Sequence, residues 1–146
     1  MNAFTCTGSY AIMILYGIKR TENRNMLPEP REGTAAISCS KSFCKEQYGM
    51  FMAMAAHKLS DEDFEKLPSW REVKDWPGKI IGVCDYKAQQ RQEAESWDEG
   101  YPYWWDLSNV VRLPDPIPCR GNVGMWQLSE FLAAKVSAVV HLNPPC

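Results

Sequence analysis

The chain has no Cys-x-x-Cys pair. Its six cysteines, Cys6, Cys39, Cys44, Cys84, Cys119 and Cys146, are scattered, with His57 and His141 as the two histidines to join them. That spacing argues against a structural zinc site, and no metal is expected. Thiols such as Cys84, in Ile81-Gly82-Val83-Cys84, read as small, reduced, buried hydrophobes. There is no glycine-rich phosphate loop, so no cofactor is expected either. No apolar run approaches the roughly 20 residues needed to cross a bilayer; the stretches 11–16 and 136–140 are far shorter, and no membrane partner is expected. A basic leader with an apolar stretch and a cleavage site is also missing, so the expected location is cytoplasmic. Finally, positive charge is not in excess: the formal net charge is −2. Sequence-blind, high-affinity binding to duplex nucleic acid relies on a basic surface, and this composition argues against it. A local pocket for one nucleotide or nucleoside remains open.

What is present reads as one domain over residues 1–146. At 45% hydrophobic and 23% charged, the chain can bury a core without staples. Residues 4–7 alternate like a short strand that Gly8 breaks. Ser9 is placed to cap a helix to Tyr16, since Ala11, Ile12, Leu15 and Tyr16 recur at helical spacing, and Gly17 ends it. Pro28 and Pro30 predict a loop over 25–32, followed by a buried strand over 33–40. A helix over 42–59 carries Met50-Phe51-Met52-Ala53-Met54, which reads first as core packing and second as a partner surface. Ser60 and Asp63 resemble a capping box for a helix to Leu67, stopped by Pro68, and Trp70 and Trp76 fall in a loop. Residues 79–84 form a strong strand. Residues 87–100 are polar and suit a helix, an insertion or a lid. Segments 103–107 and 109–113 read as an interrupted strand, and Pro114, Pro116 and Pro118 predict an edge-like course after it. A turn at 120–124, a strand over 125–128 and a helix from Ser129 to about Val140 complete the chain. The predicted class is α+β, a small mixed β-barrel of five or six strands with flanking helices.

The most informative stretch is Gly17-Ile18-Lys19-Arg20-Thr21-Glu22-Asn23-Arg24-Asn25. It gathers three cations and one carboxylate directly after an apolar segment. In an extended chain, positions 17, 19 and 21 share one face and Glu22 and Arg24 the other. A turn between Lys19 and Glu22 would instead let all three charged groups converge. Lys brings a mobile ammonium, Arg a planar fork, and Glu an acceptor that pairs with either or reads an amino group on a base. The plain structural alternative is an internal ion pair that ties a loop to the barrel.

The pattern Gly-x-Lys-x-x-Glu-x-Arg, at Gly17, Lys19, Glu22 and Arg24, resembles the signature of the ASCH domain, a β-barrel family related to PUA domains. Other segments are similar to that family in the same order: Ser9-Tyr10-Ala11 before the first helix, 33–41 as a strand carrying a small and a basic residue to the pocket, 80–85 as a strand ending in an acid, and Pro116 to Gly121 with Met125 to Leu128 as the closing turn and aromatic strand. Together they span residues 4 to about 128. The resemblance implies recognition of nucleic acids or their components. One branch hydrolyses acylated nucleosides such as N4-acetylcytidine, using a Lys of this motif with a Thr nucleophile. Lys19 and Arg24 match; the Thr position is Glu22 here, and Thr21 lies one residue off.

Two readings follow. As a binding module for a nucleoside or single-stranded nucleic acid, RNA in preference to DNA, the chain would use Lys19, Glu22 and Arg24 as its pocket. Arg20, Ser40, Lys41 and Arg120 would support it, and Trp104 in Tyr101-Pro102-Tyr103-Trp104-Trp105 would offer a stacking face. As an amidohydrolase, Lys19 would polarise an amide carbonyl or move a proton, Glu22 or Asp85 would act as general base, and Arg24 or Lys41 would hold the oxyanion. Without the threonine, the expectation leans to binding. A third reading, a protein-interaction module, would rest on the Met-rich helix.

Overall fold

The computed structural model describes residues 1–90 and 101–142. In chain order the elements are β1 (Asn2–Cys6), α1 (Gly8–Leu15), β2 (Thr21–Arg24), β3 (Glu32–Cys39), α2 (Lys45–Lys58), α3 (Asp61–Glu65), α4 (Trp70–Val73), β4 (Lys79–Gln90), β5 (Tyr103–Pro118), β6 (Met125–Gln127) and α5 (Glu130–Leu142). The strands form one curled, six-stranded sheet, a half-barrel, in the order β2-β5-β4-β3-β1-β6. β1 runs parallel to β3, and every other pairing is antiparallel. The α+β barrel-like class expected from the strand and helix pattern is what the chain adopts.

Alternation along the strands divides the core in two. Phe4, Cys6, Ile37, Cys39, Cys84, Tyr86 and Trp105 pack with Ile12 of α1, Phe51 and Ala55 of α2 and Val73 of α4. On the opposite face, Ala3, Ala36, Ile80, Val83, Leu113 and Ile117 surround Val136 of α5. Burying both faces explains why β3 and β4 read as near-continuous apolar runs, Ala35-Ala36-Ile37 and Ile80-Ile81, instead of strict alternation.

Several boundaries differ from the sequence expectation. Thr7, not Ser9, occupies the N-cap position of α1, because the helix starts at Gly8. A Cβ on Gly8 would lie 2.0 Å from the Phe43 ring, so this position is set by close approach and not only by turn formation. The second helix begins at Lys45, which leaves Phe43 buried ahead of it. Ser60 caps α3 as expected, its hydroxyl accepting from the Asp63 N–H at 3.2 Å. Trp70 is not in a loop: it opens α4, where Ser69 and Glu72 form a reciprocal capping box. β4 runs on to Gln90, so the first four residues of the polar segment 87–100 belong to a strand, and 91–100 lie outside the described residues. The interrupted strand is one element, β5, with Asn109 at φ 49° absorbing the irregularity. Asn109 is a residue type that tolerates this region. Of the Met-rich run, Met52 and Met54 pack against the core while Met50 is 68% exposed.

Candidate functional site

The site begins where α1 stops. Gly17 adopts φ 75°, the Ile18 N–H donates to the Met13 carbonyl at 2.8 Å, and the Gly17 N–H donates to Ile14 at 3.2 Å. This is a Schellman closure, which a left-handed glycine permits at little cost. The Lys19 N–H shares the Met13 carbonyl at 3.0 Å. The chain then turns into β2, antiparallel to β5, with Glu22 opposite Trp105 and Asn23 opposite Trp104.

β2 sorts the motif onto two faces, as an extended chain must. Lys19 is 2% exposed. Its ammonium donates to the Thr21 carbonyl and, at 2.9 Å, to Asn23 Oδ1, and it lies 5.4 Å from the centre of the Tyr10 ring. Glu22 and Arg24 turn to the face packed by α1. Arg24 Nε donates to Glu22 Oε1 at 2.9 Å, and the Cys6 thiol donates to Glu22 Oε2 at 3.5 Å. Arg24 Nη2 donates to the Thr5 carbonyl at 2.7 Å, while the guanidinium sits 5.1 Å over Trp105 and 5.9 Å over Phe4. The carboxylate side chain is 8% exposed and the guanidinium side chain 21%, so the pair opens to solvent on the arginine side. Burial, reinforced by the Glu22 charge, pushes the Cys6 thiol well above its usual range. Cys6 is therefore a neutral donor to Glu22, not a nucleophile.

Ser40, Lys41 and Arg120, separated by about eighty positions in the chain, meet in one cavity of about 750 Å³. Thr5, Gly78 and Gly121 complete its polar and backbone wall, and no carboxylate lines it. A Cβ on Gly121 would lie 2.7 Å from Thr5 Oγ1, so a side chain there would have to displace the Thr5 hydroxyl. Ser40 and Ser42 share a hydroxyl contact at 2.9 Å. Thr5 connects the two groups: its carbonyl holds Arg24, and the residue lines the cavity.

The other expected residues fall elsewhere. Asp85 alternates with Cys84 on β4 and faces the side of the sheet that carries Val83 and Ala36, away from Glu22. It accepts from Thr34 Oγ1 and Asn109 Nδ2, both at 2.8 Å, beside a second cavity of about 530 Å³ lined also by Glu32, Lys87 and Asp106. Arg20 is exposed, and its carbonyl accepts from the Leu107 N–H at 2.8 Å. Trp104 and Trp105 point to opposite faces, so the aromatic run is not a single platform. Trp105, 2% exposed, plugs the core against Phe4 with ring centres 5.6 Å apart; Trp104 stays partly exposed. Sequence reasoning missed Thr5, Cys6 and Asn23. Cys6 had a readable signal in the alternation Phe4-x-Cys6, whereas Asn23 occupied an unspecified position of the motif. Among the described residues, no cluster of three or more His, Cys, Asp or Glu side chains is placed to hold a metal. No protein-family model matches the chain, and no curated protein matches it either.

Proposed function

We propose that the chain is an ASCH-like binding module for a nucleobase-containing anion, a nucleotide or a short single-stranded nucleic acid. The observation that carries this reading is the gathering of Ser40, Lys41 and Arg120 around an acid-free cavity whose Thr5 wall is tied to Arg24. Two cations and a hydroxyl suit phosphate oxygens. The volume lies within the roughly 300–1,000 Å³ usual for small-ligand sites. Glu22 holds the Arg24 fork in one orientation, so the arginine is pre-organised toward a ligand instead of being ordered by it. Local positive charge in a globally acidic chain fits modest, local recognition better than duplex coating.

Hydrolysis of an acylated nucleoside is the second reading, and the geometry supports it less. Lys19 commits its ammonium to Thr21 and Asn23, and Asp85 works on the opposite face with Thr34 and Asn109. Glu22 is left as the remaining acid on the motif face, and it is paired with Arg24.

The test is anisotropy with labelled single-stranded RNA and DNA oligonucleotides and with a nucleoside monophosphate, across a salt series. Lys41→Ala with Arg120→Ala is expected to weaken binding and to lower the salt slope by about 1.4, two contacts at about 0.7 each. No affinity for any of these ligands at low salt would overturn the reading. Release of cytidine from N4-acetylcytidine by the wild type, and not by Lys19→Ala, would replace it with the hydrolase.

A further inference from the structure

Thr5 is the point at which the closure of the sheet and the wall of the cavity meet. Strand β6 pairs with β1 from Asn2 to Phe4, so Thr5 is the first residue of β1 beyond that ladder. Its two polar groups take different partners. The carbonyl accepts from Arg24 Nη2 at 2.7 Å, and Glu22 Oε1 holds the same guanidinium at 2.9 Å. The hydroxyl Oγ1 donates to the Asn122 carbonyl at 3.2 Å. Asn122 lies in the turn that joins β5 to β6, just after Arg120 and Gly121. That turn leaves β5 where the Cys119 N–H donates to the Gly78 carbonyl at 3.0 Å, and it ends where Met125 pairs with Phe4. Between those anchors, from Arg120 to Val123, the Thr5 hydroxyl makes the one hydrogen bond that reaches the turn from another element among the described residues. Close packing reinforces it, since a Cβ on Gly121 would lie 2.7 Å from the same Oγ1.

The two cations of the cavity are therefore supported in different ways. Lys41 follows β3 closely, and the Ser40 N–H before it is fixed to the Cys6 carbonyl at 2.8 Å. Arg120 is exposed and sits on a turn with a single tether. An arginine on a loose turn loses backbone and side-chain freedom when a ligand orders it, and that loss weakens binding. We infer that Thr5 is a positioning residue for Arg120: its hydroxyl fixes the turn, so that the guanidinium is presented to the cavity before the ligand arrives. The Glu22–Arg24 pair clamps the Thr5 carbonyl and braces the same residue from the side of β2. The inference rests on the anion-binding reading proposed above and deepens it, because it separates the two cations: the sheet holds Lys41, and Thr5 holds Arg120.

The experiment has a ligand-free arm and a binding arm, both on the full chain. First, ¹⁵N relaxation of the backbone from Arg120 to Val123 is compared in the wild type, Thr5→Val and Thr5→Ser. Valine suits a strand and removes the donor, whereas serine keeps it. In Thr5→Val the order parameters of the turn should fall from the rigid range, about 0.85, toward about 0.6. Lys41 should stay unchanged, and Thr5→Ser should match the wild type. An unmoved turn would overturn the tether. Thr5→Ala takes the place of the valine variant if that one does not fold. Second, affinities for uridine 5′-monophosphate and for a labelled single-stranded oligouridylate are measured as mutant cycles. Thr5→Val should weaken binding about fivefold, the effect of one ordinary hydrogen bond. The loss should persist in Lys41→Ala and disappear in Arg120→Ala, where nothing is left to position. The same loss in both backgrounds would make Thr5 a direct ligand contact. A loss that disappears in both would make it a general support of the cavity. Either result overturns the assignment, as does full affinity in Thr5→Val. No binding of either probe by the wild type would overturn the proposed function and any role of Thr5 in binding, while the relaxation arm would still decide whether Thr5 orders the turn.

Discussion

Glu22 and Asp85 are carboxylates on strands of the same sheet, and the two faces treat them differently. Glu22 lies among Cys6, Phe4 and Trp105 and has a cation as its main partner, at 2.9 Å. Asp85 lies at a half-exposed position and is held by neutral donors, a hydroxyl and an amide, at 2.8 Å each. In the interior an unpaired carboxylate is costly, so Glu22 and Arg24 are obligatory to each other; at the surface water substitutes for either partner of Asp85. The same contrast separates neighbours in the chain. Trp105 is a core plug and Trp104 a partly exposed residue on the opposite face, although they are adjacent and chemically identical. Depth of burial, and not residue type, separates the two members of each pair.

This comparison can be broken most directly at the tryptophans. Trp105→Ala removes the ring that Phe4, Tyr86 and Arg24 pack against, and it is expected to cost about 4 kcal/mol in urea unfolding. Trp104→Phe should cost far less, and equal losses would erase the distinction between the faces. Next in size is Glu22→Ala. It strands the Arg24 guanidinium, which is partly open to solvent, and should lower stability by about 2 kcal/mol, below the full cost of breaking a deeply buried pair. A loss under about 0.5 kcal/mol, the ordinary surface effect, would show that water already serves Arg24.

The thiols sharpen the contrast by pH. Burial pushes Cys39 and Cys84 from the ordinary 9.0 up to about 12, and Cys6 moves in the same direction. Between those values the unfolded chain has lost these protons while the folded chain retains them, so stability is full below pH 9.0 and falls as pH rises toward about 12. The slope is about 1.4 kcal/mol per pH unit for each such thiol. Urea midpoints at pH 8 and 10.5 measure it, and Cys84→Ala should shallow the decline; an unchanged decline would remove Cys84 as a cause. The exposed Cys44 should react with a thiol reagent in the native state, well before Cys6, Cys39 and Cys84. The smallest effect is expected at Asp85→Asn, within about 0.5 kcal/mol, because Thr34 and Asn109 keep solvent as an alternative partner.

Much of the architecture was legible because its causes are local. Gly17 announced the end of α1, Ser60 the cap of α3, and the β-branched run at Ile80 a buried strand. What misled was also local. Trp70 reads as loop because Pro68 stops the helix ahead of it, yet Ser69 and Glu72 form a capping box. The end of β4, Lys87 to Gln90, belongs by composition to a polar segment that suits a helix, an insertion or a lid. Its pairing with β5 from Asp85 to Gln90 supplies the order that its side chains do not announce.

The sequence by itself determined the α+β class, the end of α1 at Gly17, the cap of α3 at Ser60 and the buried strand at Ile80. These depend on backbone sterics and on periods of two and 3.6 residues, which short stretches encode. Tertiary structure alone decided that Ser40, Lys41 and Arg120 share a cavity, that Asp85 works on the other face, and that Asn23 stands beside Trp104. Each depends on strand order and register between distant segments. Register is the sum of many small packing preferences across the sheet, and no single residue carries it.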